Sequence, residues 1–162
     1  MNSKLFQIMF YGIRTLMHPT MTVTAHLPLA QAKLETGNFT SNIYRTNHNL
    51  FGMMYPATRA SVGESTAIAK DAKGFAMFKS DFDSIRDYFF WLKNWSISTN
   101  AELDAFLASG KYAAAKNYHQ KVTEMAATVV PELIDPKTFL VAAAIGTVAL
   151  GAGVAAVVKA SK

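Results

Sequence analysis

The sequence predicts a mainly α-helical protein with a small β-containing lobe and one C-terminal helix that crosses a membrane. Three observations carry this. Apolar residues recur at helical spacing through most of the chain before residue 130. Residues 53–78 break that rhythm, with Pro56, Gly63 and Gly74 set among Thr, Ser, Val and Ala. Phe139 to Val158 carries no charge, and about 20 such residues match the hydrocarbon thickness of a bilayer when helical. The organisation that follows is a domain over residues 1–130, a hinge over 131–138 bracketed by Pro131 and Pro136, a transmembrane helix over 139–158 and a basic tail over 159–162.

The first helix is expected from about Lys4 to Met17, with Leu5, Ile8, Met9, Ile13 and Leu16 near one buried face, ending before Pro19. Gln7, Gly12 and Arg14 interrupt this segment and no small-residue cleavage site follows, so it reads as a helix rather than a signal peptide. Pro28 suits the first turn of a second helix, where a missing N–H costs little, and Leu27, Ala30 and Leu34 supply its apolar face. Gly37 is placed to end it in a left-handed conformation. Thr40 and Ser41 can cap a short turn carrying Ile43 and Tyr44, and after a polar bend at Asn47–Asn49 the chain returns inward at Leu50 and Phe51.

Residues 53–78 read as a small irregular hairpin or a mobile lobe, with a helix over Ser65 to Lys73 as the alternative. Asp81 or Asp83 is expected to cap a helix from Phe82 to Trp95, with Ile85, Tyr88, Phe89 and Leu92 inward. A further helix over Ala101 to Ser109 ends at Gly110, and a last one is expected over Lys111 to Thr128. In the apolar segment, Lys137 and Lys159 flank the uncharged run, and Gly146, Gly151 and Gly153 thin it enough to pack against another helix.

Composition excludes some chemistry. There is no cysteine, hence no disulfide framework or thiolate metal site. The four histidines show no paired ligand spacing, so neither metal nor cofactor is expected. The net charge of +5 comes from scattered Lys and Arg without a run, which argues against specific nucleic-acid binding but suits an anionic polymer or lipid surface.

One residue stands out as a chemical candidate. Glu35 lies near the carboxyl end of the second helix, where the backbone dipole disfavours an anion, and largely apolar residues precede it. Both conditions raise a carboxyl pKa, and a carboxylic acid that keeps its proton near neutrality can protonate the leaving oxygen of a glycosidic bond. The competing reading is an exposed glutamate before a turn.

The surroundings of Glu35 carry a resemblance. Ala30-Gln31-Ala32, Leu34-Glu35-Thr36-Gly37 and Asn49-Leu50-Phe51-Gly52-Met53 resemble the signature of the glucosaminidase family, glycoside hydrolase family 73. Downstream, Phe75, Phe78, Ser80, Ser84, Asp87 and Tyr88 follow the family's spaced pattern, and Tyr112-Ala113 resembles its later Tyr-Ala element. The likeness runs from about Thr22 to Ala127.

The resemblance implies a lysozyme-like helical domain with a small β-lobe over a groove, and cleavage of peptidoglycan glycan strands. It implies that Glu35 is the general acid. A second carboxylate is implied in the lobe, where Glu64 and Asp71 stand, with Glu64 preferred by its distance before Phe75. Tyr55 and Phe39 are expected on substrate, with Phe78 in the groove, and Asn49 and Gly52 are expected to support the site. Two departures stand out: Phe78 replaces a tyrosine and so removes a hydroxyl, and Asn38-Phe39 replaces the usual Gly-Trp.

The functional expectation is therefore a membrane-anchored peptidoglycan glycosidase, either hydrolase or lytic transglycosylase. A bacteriophage virion membrane suits a small lytic domain tied to one span, with a bacterial envelope as the other location. Its expected partners are peptidoglycan, a lipid bilayer and other virion or membrane proteins. The rival reading is a non-catalytic glycan-binding or structural membrane protein that anchors a spike or capsid.

Overall fold

The computed structural model describes residues 1–130; the expected hinge, span and tail lie outside the described residues. Among the described residues no helix is long and apolar enough to cross a membrane.

Seven helices and one two-stranded sheet make up the described residues: α1 (Ser3–Met17), α2 (His26–Thr36), α3 (Asn42–Asn47), α4 (Ala57–Ser61), β1 (Ala69–Lys70), β2 (Ala76–Met77), α5 (Asp81–Asn94), α6 (Asn100–Ala108) and α7 (Tyr118–Val129). β1 and β2 pair antiparallel, Ala69 with Met77 and Lys70 with Ala76, and a bridge from Met54 to Phe75 extends the pairing. The segment expected as a hairpin or a helix over Ser65–Lys73 is thus a small hairpin, preceded by the short α4.

α2 packs most extensively on α7, and α1 lies against α5. Aromatic rings fill the centre. Phe10 meets Phe89 with centroids 4.7 Å apart, and Phe51 stacks on Tyr88 at 4.0 Å with the rings 16° from parallel.

α1 turns a different face inward from the one expected. Phe6, Phe10 and Ile13 are buried, whereas Leu5, Ile8 and Leu16 are 46%, 49% and 84% exposed. The apolar residues of this helix cover a broad arc, so periodicity alone does not choose which part of it faces inward. The two phenylalanines, one turn apart, bury the larger area and set the rotation.

Helix ends follow local chemistry, with two corrections. Gly37 takes the left-handed conformation at φ 55 and closes α2, and the Ser41 hydroxyl accepts from Tyr44 N at the start of α3. Ser80, not Asp81 or Asp83, caps α5: its Oγ accepts from Asp83 N and donates to the Asp83 carboxylate. Asp81 is engaged elsewhere, accepting from the Tyr44 hydroxyl at 2.9 Å and contacting His48 Nδ1 at 2.8 Å. The last helix begins at Tyr118 rather than Lys111. Tyr112 explains the delay. Its hydroxyl donates to the Phe51 carbonyl at 2.6 Å and its ring meets Trp91 and Tyr118, contacts that a helical 111–117 would not place together.

Candidate active site

Glu35 occupies the last turn of α2, one residue before its final Thr36. The helix ends there because Gly37 reverses the chain, and Thr36 is tied down by donating its hydroxyl to Ala32 O and accepting from Phe39 N. The carboxyl end of a helix disfavours a negative charge, so this placement alone pushes toward the neutral acid.

Burial does the same. The Glu35 carboxyl is held above the ordinary glutamate value mainly by burial, partly offset by a hydrogen bond from the Tyr118 hydroxyl. Tyr118 sits at the start of α7, and α2–α7 packing brings its ring to the carboxyl. The same burial raises the Tyr118 hydroxyl, as does the nearby Glu35 charge, so the tyrosine stays a proton donor.

The wall opposite is backbone. Gly52 adopts φ 61, and a Cβ added to it would fall 2.7 Å from Glu35 Oε2. Only a glycine fits here on both counts: the left-handed conformation and the space. Asn49 holds the turn that presents it. Its Nδ2 donates to Met53 O at 2.8 Å and Ala76 O at 3.0 Å, and its Oδ1 accepts from Met53 N at 3.0 Å. A buried side-chain amide thus joins the Leu50–Met53 turn to β2.

Gly52 also borders a cleft of about 240 Å³, whose other walls include Met54, Arg59, Trp91, Trp95, Lys111 and Tyr112. Trp95 is 46% exposed and packs on Phe106 at 4.9 Å. Arg59 reaches the cleft while its guanidinium pairs with Asp87 at 2.9 Å and donates to Glu64 O. Asp87 is fully buried and also accepts from the Ser65 hydroxyl and Thr66 N, so it fastens the lobe to α5.

The other expected site residues fall in varied places. Glu64 lies after α4 with its side chain 50% exposed and 3.6 Å from Lys93 Nζ, and it does not line this cleft. Asp71 is committed to the hairpin turn. Burial would raise its pKa, but hydrogen bonds from Asn47 Nδ2 and from the amides of Phe75, Lys73 and Gly74 outweigh it and hold the carboxyl low.

Phe39 is half-buried at φ 63 with its ring edge-on to Tyr44, and Tyr55 is half-buried with its amide bonded to Gly74 O. Phe78, expected in the groove, is only 3% exposed and offers little free ring face to a sugar. None of these three aromatics lines the cleft beside Gly52; Trp91, Trp95 and Tyr112 do.

Sequence reasoning passed over Trp91, Trp95, Arg59 and Tyr118 as site residues. A signal existed for the tryptophans, since Tyr88, Trp91 and Trp95 recur at helical spacing and share one face of the helix. Nothing local marks Tyr118 or Arg59, whose partners are 83 and 28 residues away.

Among the described residues no group of three His, Cys, Asp or Glu side chains is placed to hold a metal ion. Glu35 is not among the residues that line this cleft and adjoins it through Gly52; a carboxyl whose pKa is raised by burial suits proton donation to a polar substrate.

A family model described as Glucosaminidase, mannosyl-glycoprotein endo-beta-N-acetylglucosaminidase, matches residues 16–129. No curated protein and no solved structure matches the chain.

Proposed function

Because this chain belongs to the glucosaminidase family, we propose that it is a glycosidase that degrades peptidoglycan glycan strands, with Glu35 as the general acid. The observation that carries the proposal is the half-buried Glu35 carboxyl, its pKa raised by burial, set against the backbone of a glycine that borders a cleft.

In this reading the proton of Glu35 passes to the oxygen between two sugars as the C–O bond breaks. Positive charge develops on the ring left behind and is stabilised by a carboxylate, by the substrate's own acetamido oxygen, or by both. Glu64 serves as the carboxylate if it exchanges its contact with Lys93 for the substrate. Water completes hydrolysis; attack by an internal hydroxyl gives the transglycosylase outcome instead. Trp91 and Trp95 offer aromatic surface to the glycan, and Lys111 suits an anionic polymer.

The membrane part of the proposal rests on the uncharged stretch from Phe139 to Val158. An enzyme held by one span beside a wall-cutting domain fits a bacteriophage virion that must open the wall during entry; a bacterial envelope is the second location. The Glu64–Lys93 contact and the buried Phe78 favour the rival reading, a glycan-binding anchor without turnover.

The test uses the full chain in detergent with purified peptidoglycan, beside Glu35→Gln. Release of muropeptide fragments by the parent and not by the variant supports the acid role. Equal release by both removes Glu35 from the chemistry, and release by neither favours the anchor. Flotation of the full chain with lipid vesicles, lost on truncation before residue 131, tests the span.

A further inference from the structure

One side of α1 is an apolar stripe that the fold leaves uncovered. Leu5, Ile8, Gly12 and Leu16 recur at helical spacing, with half-buried Met9 beside them. Leu5, Ile8 and Leu16 are 46%, 49% and 84% exposed. No charged residue interrupts the stripe, and Lys4 flanks it in the first turn. The family match begins at residue 16, so nearly all of α1 lies outside the shared domain.

The stripe and the cleft lie on opposite sides. At about 100° per residue, Ile8 and Gly12 each stand about 160° round α1 from Phe10. Phe10 is the ring that meets Phe89 of α5. Trp91 and Trp95, which line the cleft, stand about 120–160° round α5 from Phe89. The order across the molecule is therefore stripe, α1, α5, cleft.

Two observations say what covers the stripe. The first is where the described chain ends. Ala25 N donates to the Tyr11 hydroxyl of α1 at 3.3 Å, and the adjacent His26 Nε2 lies 3.0 Å from Ala126 O, one turn before Val130. Eight residues separate Val130 from the uncharged run that starts at Phe139, a reach of at most about 29 Å. A bilayer that takes that run therefore lies close to the side of the domain that α1 occupies. The second is charge: the first 34 residues contain no Asp or Glu but include Lys4, Arg14 and Lys33, which suits anionic lipid. Laying the uncharged run along α1 instead would cover one side of the run and leave the rest in water, whereas lipid takes both.

We propose that α1 is an interfacial helix whose Leu5–Leu16 stripe lies on an anionic bilayer, so that the domain rests on the membrane with its cleft turned away from the lipid. This rests on the membrane reading of residues 139–158 and is independent of the role of Glu35. A tether alone leaves the domain free to swing; the stripe fixes which side faces the polymer.

The experiment uses the absence of cysteine, which makes any introduced thiol a unique label. The full chain carries a fluorescent maleimide at Ile8→Cys or Leu16→Cys on the stripe, or at Ala72→Cys, exposed in the β1–β2 turn, as the control. Each is reconstituted into vesicles of phosphatidylglycerol and phosphatidylcholine. A stripe seated about 5–10 Å into the headgroup boundary is expected to lose about half of its dye emission to lipids bearing a nitroxide high on the acyl chain. It is expected to resist aqueous iodide, and the Ala72→Cys label to behave the opposite way. Adding Leu5→Gln and Leu16→Gln to Ile8→Cys is expected to abolish the lipid quenching while the chain still floats with the vesicles.

Stripe labels quenched by iodide as strongly as the control overturn the proposal, because the stripe then faces water. Labels shielded from both quenchers also overturn it, with residues 139–158 or a second copy as the cover. A full chain that does not float with vesicles fails the membrane reading and this inference with it; one that floats without lipid quenching on the stripe fails this inference alone.

Discussion

The Gly52 α-carbon and the Glu35 carboxylate share a space that admits no additional atom: a Cβ on Gly52 would sit 2.7 Å from Glu35 Oε2 and 3.2 Å from its carboxyl carbon. Gly52→Ala therefore strains the backbone at φ 61 and displaces the carboxyl at the same time. The backbone strain costs about 1–2 kcal/mol. Stability measured by urea unfolding is expected to fall by about that amount, and cleavage of peptidoglycan by tenfold or more, since an acid misplaced by an ångström loses much of its effect.

The raised pKa of Glu35 makes two pH predictions with linked signs. In the proposed role of general acid Glu35 acts while protonated, so activity is expected to be lost as pH rises through its folded value, and Glu35→Gln is expected to abolish the activity that carries this alkaline limb. For stability, the folded pKa lies above the unfolded one, so the native state binds more protons between the two. Stability is fully present below the ordinary glutamate value and declines as pH rises through the raised one. Thermal melts are expected to show Glu35→Gln stabilised relative to the parent above neutrality and not at acid pH.

The Arg59–Asp87 pair joins the lobe to α5 with side chains 12% and 0% exposed. Removing one partner leaves a charge without its counterion in a poorly solvated place. Arg59→Met is expected to cost about 3 kcal/mol in chemical unfolding. Arg59→Met with Asp87→Asn should cost less than the two single losses added, because each already removes the same interaction.

Trp95 presents its exposed indole to the cleft without a hydrogen bond to Glu35 among its described contacts. Trp95→Ala is expected to raise KM for glycan strands about tenfold, equivalent to about 1.4 kcal/mol, with kcat nearly unchanged. A fall in kcat at constant KM would place the indole with the reacting atoms instead.

What was legible in the linear chain is what neighbours within a few residues settle. Gly37 closes α2, Ser41 starts α3, and Glu35 falls in a helix's last turn, because caps, left-handed glycines and helical spacing act over one turn of backbone. The helical class with a small lobe follows from the same short-range rules. Even locally, Ser80 took the cap from the adjacent aspartates because Asp81 had found Tyr44 and His48 across the fold.

Packing between distant segments chose the rest. The inward side of α1 depended on which of its apolar faces found the aromatic core, and the start of α7 on Tyr112 reaching Phe51. The environment of Glu35 has the same origin: Gly52 and Tyr118 lie 17 and 83 positions away and meet the carboxyl through chain folding and the contact of α2 with α7. A sequence can place an acid at a helix end, but how far that acid is desolvated, and which hydroxyl faces it, are properties of atoms brought together from remote parts of the chain.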